Sequence, residues 1–123
     1  MAETKLKDQA VNTTIAQILA GGNYKVVSGW GYLASNGTKN ISGTLSFGAT
    51  FTNPPMVLIV PIGTSGTTPT SPSSFVGANN DVTNYVVYSV YGIGVSSATV
   101  QAFVSSAQAA GTNFGYAWIA IGT

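Results

Sequence analysis

Residues 41–62, ISGTLSFGATFTNPPMVLIVPI, decide the fold class of this 123-residue chain. Apolar side chains occupy the odd positions from 45 to 51, and small or polar residues occupy the even positions from 44 to 50. Because successive side chains of a strand point to opposite faces, this alternation predicts a β-strand with one buried face and one solvent-exposed face. Residues 56–62 are instead apolar at every position, which predicts a strand with apolar side chains on both faces.

Similar runs of β-branched and aromatic residues occur on both sides of this stretch, separated by clusters of Gly, Asn, Ser, Thr and Pro. We predict six strands in all, over residues 24–33, 41–51, 56–62, 85–91, 99–104 and 114–121. No interval between them contains a convincing crossover helix. The pattern therefore predicts an all-β chain, with a six-stranded antiparallel β-sandwich over residues 23–123 and a short N-terminal arm over residues 1–22.

Two of the predicted strands contain more apolar surface than a single sandwich can bury. Residues 56–62 are apolar on both faces, and residues 114–119 alternate large aromatic side chains with Gly, Ala and Ile. A two-layer domain has only one interior, so the second apolar face needs cover from elsewhere. We therefore predict that identical copies of the chain shield it in a homo-oligomer.

Charged residues are scarce: they make up 6% of the chain, and four of the seven lie within residues 1–8. Soluble domains usually contain about a quarter of such residues, so Ser, Thr, Asn and Gly must supply the hydrophilic surface here. The net charge is +1 and the basic residues are scattered. Without a basic stripe to follow phosphates, the composition predicts no nucleic-acid binding.

The side chains that most enzymes use are nearly missing. The chain has no His and no Cys, and Asp81 is the only one of its three carboxylates outside the arm. General acid–base catalysis and glycoside hydrolysis depend on such groups, the latter on a carboxylate pair. We predict no enzyme activity, no catalytic residue, no cofactor and no metal site. Asp81 with Asn79, Asn80 and Asn84 could form a weak calcium site, but a turn that satisfies its own backbone is favoured.

The N-terminal arm has apolar residues at intervals, namely Leu6, Val11, Ile15, Ile18 and Leu19. The last three have the i, i+3, i+4 spacing of one helix face. A helix this short is marginally stable alone in water. Two interpretations stay open: a frayed terminus without function, or an arm that joins subunits or attaches the chain to a larger assembly. We favour the second.

Recognition in this chain must rely on aromatic and amide groups. Aromatic rings with polar tips stack on sugar rings and also fill interfaces, so each candidate has an alternative role in the core or between subunits. Tyr85, Tyr88 and Tyr91 cannot all share one face of a regular strand. The candidate ligand-binding residues are Trp30, Tyr32, Asn79, Asn80, Asp81 and Tyr88.

The connection over residues 63–84 is long and rich in Pro, Gly and hydroxyl residues. Loops of that length are usually functional or mobile. Phe75 and Val76 are its large apolar residues in the middle, and we expect both to anchor it.

The stretch ISGTLSFGATFTNPPMVLIVPI resembles the first half of H-type lectin domains, in which a Phe-rich strand ends in a Pro-Pro pair and leads into a hydrophobic strand. The match rests on Phe47, Phe51, Pro54, Pro55 and Val57. The ending FGYAWIAIGT, residues 114–123, resembles the last strand of that fold and the C-terminal ends of bacteriophage tail-fibre and receptor-binding proteins. The likeness spans residues 28–123.

This resemblance implies a six-stranded antiparallel sandwich that assembles as a trimer. H-type lectins commonly bind sugars through charged, His and aromatic residues near subunit boundaries. The body of this chain lacks His and Arg, so no sugar site is transferred residue by residue.

We therefore predict a non-enzymatic virion structural protein: a phage tail-fibre, receptor-binding or surface-decoration module that acts as a multivalent homotrimer. Its predicted partners are other virion proteins, through the arm, and a host surface glycan. No signal peptide and no apolar run of membrane-spanning length is recognised, so we expect synthesis in the host cytoplasm and a place on the virion surface. The alternative is a free carbohydrate-binding lectin of the H type.

Overall fold

A computed structural model of the chain describes residues 24–78, 85–108 and 110–123. They form six strands and one short 3-10 helix, Pro72–Ser74. The strands are β1 (Lys25–Ala34), β2 (Asn40–Ser46), β3 (Met56–Ser65), β4 (Val86–Tyr91), β5 (Ser97–Val104) and β6 (Asn113–Gly122). The predicted all-β fold is confirmed. The predicted arm over residues 1–22 lies outside the described residues.

The six strands form two antiparallel sheets of three. Sheet A has the order β1-β6-β3, and sheet B has the order β2-β5-β4. Every pairing is antiparallel. Contacts between β1 and β2 and between β3 and β4 join the edges of the two sheets, so the sheets are stacked as a sandwich.

The inner faces of the two sheets form one hydrophobic core. Val100 and Ala102 on the central strand of sheet B and Ala120 on the central strand of sheet A have no exposed surface. The alternation that predicted strands from the sequence therefore places every second residue in this core. Its buried members are Leu33, Ile41, Leu45, Phe47, Phe51, Val57, Ala98, Val100, Ala102, Val104, Phe114, Tyr116 and Ala120.

The strand predicted over residues 41–51 is shorter than expected, because β2 ends at Ser46. Gly48 has a φ of 67°, a left-handed conformation that ends the regular strand. Phe47 and Phe51 are nevertheless buried, and their rings meet edge to face with centroids 5.7 Å apart. The alternation of buried and exposed residues thus continues beyond the end of β2. The chain turns at this point, but both rings still enter the core.

The loop after β3 folds back over the outer face of sheet A. Phe75 is buried there, 5.9 Å from the ring of Trp30 in an edge-to-face arrangement. Gly115 makes room for it, because a Cβ atom at that position would lie 2.6 Å from the Phe75 ring. The prediction that Phe75 anchors the loop agrees with this packing. The same prediction for Val76 is wrong, since its side chain is 89% exposed and points into solvent.

Candidate binding surfaces

The outer face of sheet A is apolar. Met56, Leu58 and Val60 of β3 project from it and are 60%, 54% and 57% exposed. The strand register pairs Met56 with Ile121 and Leu58 with Ile119, so side chains of β6 extend the same surface. We call the surface formed by Met56, Leu58, Val60, Ile119 and Ile121 the apolar face.

The outer face of sheet B is mainly polar. The register aligns Ser42 with Gln101 and Thr44 with Thr99 across β2 and β5. Apolar exceptions on this face are Val87, Tyr91 and Phe103, which are all exposed. The register pairs Val87 with Phe103 on sheet B, whereas on sheet A the apolar row extends along β3 from Met56 to Val60 beside its partners on β6. Contiguous apolar patches of this kind mark interaction sites in soluble proteins.

The sequence-predicted ligand residues do not form one cluster. Trp30 and Tyr32 lie on the same face of β1, where Trp30 packs against Phe75 and Tyr32 is exposed. Tyr88 points into the sandwich instead, and its hydroxyl donates a hydrogen bond to the Gly115 carbonyl at 3.0 Å. The structure does not bring Tyr88 to a surface with the first two. Its role as a ligand contact stays a prediction.

The remaining predicted residues lie outside the described part of the chain. These are Asn79, Asn80 and Asp81 in the loop before β4, and the assembly residues Leu6, Val11, Ile15, Ile18 and Leu19 in the arm. Their roles also stay predictions. Tyr85 and Tyr91 are exposed and Tyr88 is partly buried, as expected for three tyrosines that cannot share one strand face.

A cleft that the sequence analysis missed opens at the edge of the sandwich between β1 and β2. Its volume is about 350 Å³. We call it the edge cleft, and its lining residues are Gly29, Trp30, Gly31, Tyr32, Thr44, Leu45, Ser46, Tyr116 and Trp118. The only sequence signal for the edge cleft is the Gly-Trp-Gly-Tyr pattern of β1. The role of its two glycines depends on the β6 residues that they face.

Tyr116, which is buried and lines the edge cleft, and Tyr88, which is partly buried, form a pair of tyrosines with ring centroids 6.5 Å apart. Burial raises the pKa of both hydroxyl groups, and the neighbouring Tyr116 raises the pKa of Tyr88 further. Desolvation disfavours the charged phenolate, so both groups are neutral at physiological pH. They can act as hydrogen-bonding groups but not as bases there.

A smaller cavity of about 150 Å³ lies at the loop end of the sandwich. Tyr85, Ser106, Gln108 and Thr112 line part of it.

Charge contributes little to any of these surfaces. Lys25 and Lys39 are the only charged side chains within residues 24–78, 85–108 and 110–123. The Lys25 ammonium donates to the Thr50 carbonyl at 2.6 Å. Within the same ranges, no group of three or more His, Cys, Asp or Glu side chains is placed to hold a metal ion.

No known protein family and no curated protein matches the chain by sequence. The fold, by contrast, is similar to solved structures of phage and pyocin fibres. The tailspike of Pseudomonas phage phi297 has a TM-score of 0.60 and 16% identity, over 81% of this chain and 16% of the tailspike. The R1 pyocin fibre of P. aeruginosa, residues 323–701, has a TM-score of 0.55 and 18% identity, over 81% of this chain and 23% of the fibre.

The tailspike of Acinetobacter baumannii phage AP22, solved in complex with a capsular saccharide, has a TM-score of 0.57 and 10% identity. The match covers 80% of this chain and 17% of that tailspike. The chain thus spans a quarter or less of the length of these three proteins. The sequence resemblance to phage fibre proteins is confirmed at the level of the fold, whereas the likeness to H-type lectins stays a prediction.

Among the described residues, the structure contains no helix that is long and apolar enough to cross a membrane.

Proposed function

We propose that this chain is a non-enzymatic structural module of a phage-type particle: a tail-fibre or receptor-binding module, or a surface-decoration protein, that works as a multivalent homo-oligomer. The proposal is carried by the apolar face, which occurs in a chain whose fold is similar to a part of a phage tailspike. Copies of the chain cover this face in the assembly, and the polar outer face of sheet B stays in contact with water.

The energetics favour such a contact. Complete burial of a Val, Leu or Met side chain contributes about 1.5–3 kcal/mol. Met56, Leu58 and Val60 are each a little more than half exposed, so covering all three contributes roughly 2–5 kcal/mol per subunit. The β6 side chains beside them add to this sum, because the register places them on the same surface.

We propose a trimer, which is the assembly that the lectin resemblance implies. Three binding sites held on one particle raise avidity about 10²- to 10⁴-fold over one site. Weak contacts through neutral side chains are then sufficient for attachment, and the near absence of charge is no obstacle. Residues 1–22 anchor the module to other virion proteins, and the sandwich faces a host surface glycan.

Two experiments test the proposal. In sedimentation equilibrium, the intact chain is expected to form a trimer at micromolar concentration; a stable monomer would contradict the assembly. In a complementation assay, the chain without residues 1–22 is expected to be lost from purified particles, while the intact chain is retained. Retention of the shortened chain would rule out the arm as the anchor.

A free carbohydrate-binding lectin is the second candidate, and the edge cleft favours it. The two functions differ in where the protein is found: a lectin binds glycans as an isolated oligomer and is absent from purified particles. Detection of the chain in purified particles by mass spectrometry supports the virion module. Its absence from them, with glycan binding retained, supports the lectin.

A further inference from the structure

The edge cleft depends on two glycines of β1 that face two aromatic residues of β6. The register pairs Gly29 with Trp118 and Gly31 with Tyr116. A Cβ atom at position 31 would lie 2.6 Å from the Tyr116 hydroxyl oxygen, and one at position 29 would lie 3.0 Å from the Trp118 Nε1 atom. The two polar tips, the Tyr116 hydroxyl and the Trp118 indole N–H group, therefore lie close to the backbone of β1, in space that a residue other than glycine would fill.

These polar tips have no hydrogen-bond partner in the part of the chain that the structure describes. Within the described residues, neither the Tyr116 hydroxyl nor the Trp118 Nε1–H group makes a hydrogen bond, and neither atom is sealed from solvent. The Tyr116 side chain is otherwise buried, with 4% of its surface exposed. Buried polar groups nearly always have a hydrogen-bond partner. A hydroxyl and an N–H group presented to the same cleft are therefore available to a ligand.

The lining of the cleft indicates the chemistry of that ligand. The residues around it are aromatic, hydroxyl-bearing, aliphatic or glycine, and no lining residue is charged. A charged ligand would lose hydration without a counter-charge, whereas a purely apolar ligand would leave the two polar tips unpaired. The volume of about 350 Å³ is at the lower end of the range for small-molecule sites.

We propose that the edge cleft binds a single uncharged pyranose ring, whose hydroxyl groups pair with Tyr116 Oη and Trp118 Nε1. The proposal rests on the receptor-binding function for its biological role. It differs from the arrangement that the H-type lectin resemblance implies, because the site lies within one subunit and contains no charged side chain. The apolar face is concentrated on β3 and β6, so a contact there leaves the β1–β2 edge open.

The full-length protein can be tested with neutral monosaccharides: glucose, galactose, mannose, N-acetylglucosamine and N-acetylgalactosamine. Saturation-transfer NMR is expected to show binding of at least one of them and none of N-acetylneuraminic acid, which is charged. The chain contains two tryptophans, so its ¹H–¹⁵N spectrum has two indole signals, which Trp30→Phe assigns. The Trp118 indole signal is expected to shift during titration with the bound sugar.

Tyr116→Phe removes the hydroxyl and keeps the ring, so the core packing is retained. We expect it to weaken sugar binding about 3- to 10-fold, the effect of losing one net hydrogen bond. Tyr91→Phe is the matched control, because Tyr91 is exposed on the outer face of sheet B and does not line the cleft. It should leave binding unchanged.

Three outcomes would overturn the proposal: no neutral sugar binds, the acidic sugar binds as well as the neutral ones, or the Trp118 signal is unmoved at saturation. Equal effects of Tyr116→Phe and Tyr91→Phe would also overturn it. The assembly is tested separately by sedimentation and particle incorporation. Normal trimers without sugar binding would reject the cleft alone, and sugar binding by a monomer would reject the assembly alone.

Discussion

Leu58→Lys is the substitution that most directly tests the apolar face. Leu58 is 54% exposed in the single chain, so the lysine can be solvated there and the fold should be retained. In the proposed oligomer the same position is covered. The substitution removes roughly 0.8–1.5 kcal/mol of apolar burial per subunit and also places an unpaired ammonium group in the contact, at a cost of several kcal/mol.

The combined loss is at least about 3 kcal/mol per subunit contact, which corresponds to association weakened by more than about 100-fold. Sedimentation velocity at micromolar concentration should therefore show a monomer, with an unchanged circular dichroism spectrum. Ser42→Lys is the matched control, since it adds the same charge to an exposed position on the outer face of sheet B. If both variants sediment like the parent protein, the apolar face is not the subunit contact.

Two further predictions concern stability. Because burial raises the pKa of Tyr88 above its ordinary value of 10.0, the folded state retains this proton at a pH where the unfolded state loses it. The stabilisation by Tyr88 is complete below pH 10 and declines as the pH rises above 10. The free energy of unfolding measured with urea should therefore fall less with rising pH in Tyr88→Phe than in Tyr91→Phe. An equal fall in the two variants would contradict the burial of Tyr88. Gly115→Ala places a Cβ atom 2.6 Å from the Phe75 ring and should lower the free energy of unfolding by about 1–3 kcal/mol. The same change in a Phe75→Ala background should be nearly neutral, and a similar cost in both backgrounds would show that Phe75 does not pack there.

Strand positions were the most predictable feature of the chain. The alternation of apolar and polar residues is a local property, so it identified each strand without knowledge of its neighbours. The exception was residues 47–51, where the rings continue the alternation although Gly48 turns the chain. Side-chain burial alone does not distinguish a strand from a turn whose side chains still reach the core.

The candidate site was much less predictable. Trp30 and Tyr32 were identified from their chemistry, but the contribution of Tyr116 and Trp118 to a cleft depends on the glycines that they face. The sequence by itself does not show which side chains these glycines face. Only the pairing of β1 with β6 shows that they accommodate aromatic rings.

The amino-acid sequence alone is sufficient to indicate an all-β sandwich, a nearly uncharged surface and an excess of apolar strand surface. Each of these features follows from the composition or from the alternation of residues within one segment. Which outer face is apolar, and where a polar cleft opens, depend on strand order and register. Those are set by packing between segments that are far apart in the chain, such as β1 and β6. Local patterns contain no information about that pairing, so these features emerge only in the folded protein.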